Sequence, residues 1–440
     1  MYNKIISVIM LVIMLMMLAS CGKNENTPQE DETPGPEPGE TISLEVVFNE
    51  VGKTIMNYGG GNERGFYDVI PRVWNIGEQI STGEFDNNIV YTDYETKNRV
   101  YLCNDPACKH DSESCTSYIK SSSNAAVFPI GENLICFRFG KTNGTASKEE
   151  DLCAVIVMDL NGSYRRTLYT LDPKEAFSQP LIVLADDKRI YFQISSLDEN
   201  NNINKNVVSL NIETGEKKDV TKISTVYMLV SAYDDCMLFY DTGTQTNMIY
   251  SLSDNSMTEG LAGVSGVYKG SLSIDLEYDV ERGDYQKIFQ AKNLTVVISD
   301  MKDGSVRRFG PYPMEDDHGP AGLTDVYDKH VCVTYITNLQ TSSDTVVYIL
   351  DYDTGNYVKN QLYSSNGGMS RPSTILADAG DSYLVYYDTT HAVQTFYDRQ
   401  GVVHTVDNNA YPQYALINKD DYYSNVPNYE VINDTLCDLG

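Results

Sequence analysis

Tryptophan is almost missing from this chain and histidine is scarce: Trp74 stands alone beside five histidines. Sugar-binding surfaces are usually richer in indole rings, which argues against a broad carbohydrate platform. No G-x-S-x-G elbow, P-loop or H-E-x-x-H occurs, so the commonest hydrolase, nucleotide-binding and zinc-protease signatures are excluded. Basic residues are few, 33 against 62 acidic, for a net charge of −29. Nucleic acid and anionic lipid are therefore poor partners for the folded surface. Beyond the N-terminus there is no long 3.6-residue apolar period, so little helix is expected. Nor does a second stretch have the apolar length to span a bilayer.

The N-terminus is the exception. Lys4 precedes a largely apolar run from Ile5 to Leu18, and Leu18-Ala19-Ser20-Cys21 follows. A core of about 14 residues behind a basic start fits a secretory signal over residues 1–20, because a membrane span needs about 20. The last four residues resemble a bacterial lipobox, which implies that Cys21 becomes the mature first residue and carries a diacylglyceryl group. Two or more acyl chains anchor stably, at about 0.8 kcal/mol per buried methylene. The alternative is an ordinary cut near Ala19 with Cys21 unmodified. Residues 21–41 then place Pro28, Pro34, Pro36 and Pro38 among acidic side chains with nothing worth burying. Such a segment reads as a disordered tether, reaching up to about 60 Å at roughly 3 Å per residue. Residues 42–440 are expected to fold on the outer face of the bacterial cell membrane.

One pattern recurs through that body: a β-rich run, a turn with Asp, Asn or Gly, and a second run. It appears as VIVMDLNGSYRRTLY near Gly162, VVSLNIETGEKKDV near Gly215 and MIYSLSDNSMTEGL near Asn255. It returns as VVISDMKDGSVRRF near Gly304, VVYILDYDTGNYVKNQ near Gly355 and TFYDRQGVVHTV near Gly401, with IVYTDYETKNRVYLC as the first copy. Each reads as a hairpin. Before most of them stands a second element, as in GENLICFRF, DDKRIYFQI, YDDCMLFYD, YDKHVCVTY and GDSYLVYYD, with Cys136, Tyr191, Leu238, Cys332 and Leu384 in equivalent places. Four short strands repeated at this period describe an all-β fold, a β-propeller of about seven blades. The segment Asp279 to Lys292 lengthens the fifth unit between its second and third strands. Tyr414 to Ile432 resembles half a unit, expected to pair with N-terminal strands and close the ring. Eight blades are the alternative, if Gly65 to Cys103 forms a whole blade and Ile42 to Phe48 closes another; two stacked β-sandwiches are the competing architecture.

The densest chemistry lies in YLCNDPACKHDSESC, Tyr101 to Cys115. Cys103, Cys108, His110 and Cys115 supply three thiolates and an imidazole, the donor set of a closed structural zinc site. The spacing C-x4-C-x-H-x4-C matches no familiar zinc finger, and an oxidising location favours disulfides. A Cys108–Cys115 bond with Cys103 free, or no bond at all, therefore stands beside zinc. Cys136, Cys153, Cys236 and Cys332 fall in or beside strands and read as isolated thiols packing as small hydrophobes. Cys136 and Cys332 lie in blades far apart, beyond the roughly 7 Å between α-carbons that a disulfide spans. The crossover carrying the loop leads from Cys103 to an inner strand near Ala125 to Pro129, a place where binding surfaces occur.

The string LCNDPACKHDSESC, inside a lipobox-bearing repeat protein, resembles uncharacterised β-propeller lipoproteins of gut-dwelling Gram-positive anaerobes that carry an LC…P.C.H…C motif. The resemblance implies a propeller of unknown activity and brings no catalytic residues. Other clusters read as structure. DYDTG at Asp351 and DMKDG at Asp300 look like calcium loops, but their equivalents recur in nearly every blade as turns. EDDHGP, Glu315 to Pro320 with His318, reads as a solvated acidic loop, and His330, His391 and His404 each sit alone. Among 33 tyrosines, most are expected between blades, with Tyr411, Tyr414, Tyr422 and Tyr423 as candidates for a sugar or peptide surface. The function expected is binding of a protein, peptide or glycan without catalysis; the alternative is a glycan-active enzyme with carboxylates in the propeller channel.

Overall fold

A computed structural model describes residues 42–50, 59–71, 86–121, 123–141, 148–262, 266–280, 288, 290–315, 318–337, 344–366, 369–397, 403–434 and 436. The signal, Cys21, the tether and Trp74 lie outside these residues. Within them the chain builds seven blades of a β-propeller, each with a four-stranded antiparallel core; the sheets of blades I and III take up further short strands, and a separate two-stranded sheet joins Tyr363–Asn366 to Met369–Pro372. Blade I comprises Gly60–Gly61, Gly65–Pro71, Asn87–Asp93 and Asn98–Tyr101. Blade II runs from Ala125–Ile130 to Arg166–Thr170, blade III from Ile182–Ala185 to Lys217–Ile223, and blade IV from Tyr227–Tyr233 to Ser256–Ala262. Blade V spans Val267–Lys269 to Val306–Pro313, blade VI His318–Tyr327 to Asn356–Lys359, and blade VII Thr374–Ala379 to Glu430–Val431. Among the described residues, no helix is long and apolar enough to cross a membrane.

A middle strand clasped between neighbouring blades buries both faces, which is why such strands read as continuous apolar runs. Leu134, Ile135, Cys136 and Phe137 are all fully buried. Their alternation sends Ile135 and Phe137 into the seam between blades II and III, and Leu134 and Cys136 into the seam between I and II. This corrects one register. Tyr191, Leu238, Cys332 and Leu384 each lie two residues after the residue that closes the first-to-second-strand turn, and in blade II that place belongs to Ile135, since Asn133 closes the turn. Cys136 is one residue out of step and faces the opposite way, as a single slip in a period of two requires.

The ring closes differently from the expectation. Gly65 to Tyr101 does form most of a whole blade, but Glu45–Asn49 builds no eighth one; it pairs antiparallel with Ile182–Ala185, the innermost strand of blade III. It therefore lies inside the ring as a plug strand, against the inner strands of blades II, III and IV. Leu44 donates its N–H to the Asp234 carbonyl of blade IV at 2.6 Å, and Phe48 stacks on Phe128 of blade II at 5.0 Å. Gly60 has no room for a side chain, because a Cβ there would lie 2.6 Å from the Phe128 Cβ. The segment from Tyr414 is likewise no half-unit. Ser382–Tyr397 and Val403–Asn418 form one long hairpin, the second and third strands of blade VII, so the turn near Gly401, itself outside the described residues, joins those two. The segment's strand pairing with blade I is made by Asn433–Asp434, parallel to Asn98–Arg99.

The two ends of the blades differ. From blade II to blade VII the first and second strands are joined by two-residue turns. At the opposite end lie the long connections: residues 102–124, 139–153 and 279–292, and the long hairpin of blade VII. The insertion expected between the second and third strands of blade V is where it was placed, with 281–287 and 289 outside the described residues.

Candidate metal centre

Cys103 follows the outer strand of blade I, and its N–H returns to the Tyr101 carbonyl at 2.7 Å. Asp105 shapes the next turn, accepting from the Ala107 N–H at 2.9 Å on its carboxylate and from the Cys108 N–H at 3.1 Å on its carbonyl. His110 adopts a left-handed φ of 54°, which reverses the chain so that its N–H points at Cys108 Sγ, 3.4 Å away. Cys115 closes a further turn through its N–H to Ser112, 2.9 Å. As a result one donor atom from each of Cys103, Cys108, His110 and Cys115 lies within 4.8 Å of the others. Every described cysteine is a free thiol.

The surroundings hold these donors in place. His110 Nδ1 lies 3.3 Å from Cys115 Sγ, and the imidazole stacks on Tyr101 at 4.3 Å. The Ser117 N–H donates to Cys115 Sγ at 3.4 Å, and the Ser117 hydroxyl is 3.2 Å from the same sulfur. Buried Asn88 donates to the His110 carbonyl and to Ser117 Oγ, both at 3.0 Å. N–H groups aimed at sulfur favour the thiolate, the form that binds metal. Burial pushes the Cys103 thiol up, but the Asp105 N–H and the Cys115 and Cys108 thiols outweigh it and leave it lowered. At Cys108 the His110 N–H pulls down, while burial and the Cys115 and Cys103 thiols raise it to about 11. Three thiols this close compete for one negative charge; a soft divalent cation would end the competition by binding all of them. The donor chemistry and spacing fit a metal such as zinc.

Asn88, Ser117 and Tyr101 were not singled out in the sequence, although the polar pair Asn87-Asn88 opening an apolar strand was a signal. The loop stays at the seam between blades I and II instead of reaching the axis: the Arg165 guanidinium of blade II donates to the Thr116 and Tyr118 carbonyls, and Lys120 pairs with Glu150 at 3.6 Å.

The remaining candidates are dispersed. Cys136, Cys153 and Cys332 are buried and Cys236 half-buried; burial pushes Cys136 up to about 12, consistent with inert packing. The carboxylates of Asp300 and Asp351 accept from the N–H groups of Lys302 and Asp353, 2.9 Å each, beside Gly304 and Gly355 at φ of 73° and 74°, so both loops are shaped turns. Tyr414 and Tyr422 are buried and offer no ligand surface, while Tyr423 stacks on His330 at 3.5 Å. His391 is exposed; the side chains of His318, His404 and Tyr411 lie outside the described residues. One cavity of about 550 Å³ opens beside the plug strand at the tight-turn end. It is lined by Glu45, Glu132, Asp186, Asp187 and Glu213 with Lys188.

No protein-family model and no curated protein sequence matches this chain. Among solved structures it is similar to the acylaminoacyl peptidase of Pyrococcus horikoshii, at 12% identity and a TM-score of 0.47 over 82% of this chain and 55% of that one. The chain thus spans about half the length of that peptidase. It is also similar to the β-propeller domain of the Trilobed protease from Pyrococcus furiosus, at 12% identity and 0.42 over 85% and 98%. An oligogalacturonate lyase from Vibrio parahaemolyticus gives 10% and 0.41 over 87% and 98%.

Proposed function

We propose that this chain is an extracytoplasmic lipoprotein, anchored through acyl chains on Cys21, whose propeller binds a protein, peptide or glycan without catalysis and carries a structural zinc at Cys103, Cys108, His110 and Cys115. The observation that carries the binding reading is the plug strand. Glu45–Asn49 lies inside the ring, where a propeller enzyme would converge its catalytic groups, and Phe48, 2% exposed, packs there against Phe128. Zinc would supply a tie between the arms of the Cys/His loop, with no catalytic duty, since four protein donors leave no open position.

A screen of the purified full-length chain against cell-wall fragments, glycans and surface proteins tests the binding reading; saturable binding is expected, and silence at micromolar concentration would sink it. Elemental analysis with a thiol count tests the metal: one zinc per chain with the three loop thiols unoxidised is expected, and a Cys108–Cys115 disulfide without metal would replace it. The glycan-active alternative draws its support from the carboxylates around the cavity beside Glu45. Release of reducing sugar from any glycan in that screen, abolished by Glu45→Gln or Glu132→Gln, would establish it instead.

A further inference from the structure

The plug strand also gives the disc a direction. It runs antiparallel to Ile182–Ala185, with Glu45 opposite Ala185 and Asn49 opposite Ile182. Ala185 leads into the tight turn of blade III, so Glu45 lies at the tight-turn end. Two contacts fix that end of the strand: Leu44 is bonded to Asp234, in the tight turn of blade IV, and Ser43 lines the cavity with Glu132 and Asp187, from the tight turns of blades II and III. The described chain therefore begins at this end, at Ile42, beside the axis.

We infer that the protein hangs from the membrane with its tight-turn end towards the lipid, presenting the opposite end, with its long connections, to the outside. The inference rests on the acyl anchor at Cys21. A tether of about 20 residues reaches about 60 Å only at full stretch, and turning the disc over would spend most of that on half its width plus the about 30 Å that the nine residues Ile203–Asn211 of blade III extend along the strand direction. An anchor attached at the axis of one end cannot readily pass round the rim, so the disc does not turn over. The charge distribution adds a spacing. Asp234 at this end is paired with Lys302 at 2.6 Å, and Asp328 and Asp378 share Lys419, but the cavity here gathers Glu45, Glu132, Asp186, Asp187 and Glu213 against Lys188, a local excess of negative charge. Within a Debye length of about 10 Å at 0.1 M salt this excess repels an anionic bilayer, so this end faces the lipid without lying flat on it.

The test uses the acylated full-length chain in phosphatidylcholine vesicles containing a lipid-bound acceptor dye, with a donor fluorophore introduced as a non-natural amino acid at exposed Glu213 or exposed Glu199. These positions lie at opposite ends of the same strand of blade III. Energy transfer to the lipid is expected to be higher from 213 than from 199. Adding phosphatidylglycerol is expected to lower transfer from 213, and salt to restore it. Equal transfer, or higher transfer from 199, on chains that co-float with vesicles overturns the orientation alone. If the wild-type chain floats no better than Cys21→Ala, the anchor itself is overturned, and the orientation with it.

Discussion

Blade I has two neighbours, and its two seams are built by different means. Towards blade VII the chain ends meet, and the closure is ionic: Arg99, 6% exposed, reaches Asp68 at 3.2 Å and Asp434 at 3.0 Å, with the Tyr414 ring 4.8 Å beneath it. Burial alone would lower the guanidinium pKa, but Tyr414, Asp434 and Asp68 hold it above the ordinary value. Towards blade II the closure is a polar loop whose thiols and imidazole converge. The first seam joins residues 335 apart in sequence and is complete as it stands. The second joins near neighbours in the chain and brings together four donors that could hold a metal. In the seam of blades II and III, Phe137 meets Phe177 at 4.9 Å and Phe192 at 5.0 Å, and the Arg166 guanidinium donates to the Ile212 carbonyl at 2.7 Å. All three seams hold an apolar cluster; what sets the VII–I seam apart is the added polar geometry by which distant parts of the chain find each other.

The comparison can be broken experimentally. Arg99→Ala should have the largest effect, about 3–5 kcal/mol, because it strands two buried carboxylates. Urea unfolding would measure it, and adding Asp434→Asn should cost little more, since the two share one network. A loss below about 1 kcal/mol would mean that the ionic seam is ornamental to closure. Phe48→Ala should cost about 3 kcal/mol, the lower end for a buried phenylalanine, since the plug strand can settle against Phe128. The same variant should leave metal content unchanged. Chelation of the Cys/His loop should remove about 2.7 kcal/mol when free metal stands 100-fold above its dissociation constant. That shift should vanish in Cys115→Ser and persist in Phe48→Ala, as read by thermal melts with and without chelator. The smallest effect is expected for Gly162→Ala. At φ 81° and with its Cβ 2.8 Å from the Thr116 carbonyl, the substitution should cost about 1–2 kcal/mol and loosen the loop seam selectively, seen as faster hydrogen exchange at Ser117 and Tyr118.

Much of the architecture was readable as hairpins because turn chemistry is local. Gly162, Gly215, Asn255, Gly304 and Gly355 all carry positive φ at the expected turns, and Asp300 and Asp351 hold their own backbones there. The misreadings have physical causes. TFYDRQGVVHTV resembles the other third-to-fourth-strand turns, but what separates it is the 16-residue length of its two strands, and that reflects projection beyond the blade instead of local propensity. Cys136 was displaced by one residue because a strand apolar on both faces carries no alternation to fix its register. The closing strand is two residues long, too short for any pattern.

Turn residues, apolar strands and the crowding of Cys103, Cys108, His110 and Cys115 within one short loop are written along the chain, because each depends on neighbours a few residues away. That Glu45–Asn49 lies inside the ring, that Arg99 lies between Asp68 and Asp434, and that the described chain begins at the tight-turn end were decided only in three dimensions. Those arrangements come from surfaces meeting across hundreds of residues, where no local preference acts and only the geometry of the closed ring selects the partner.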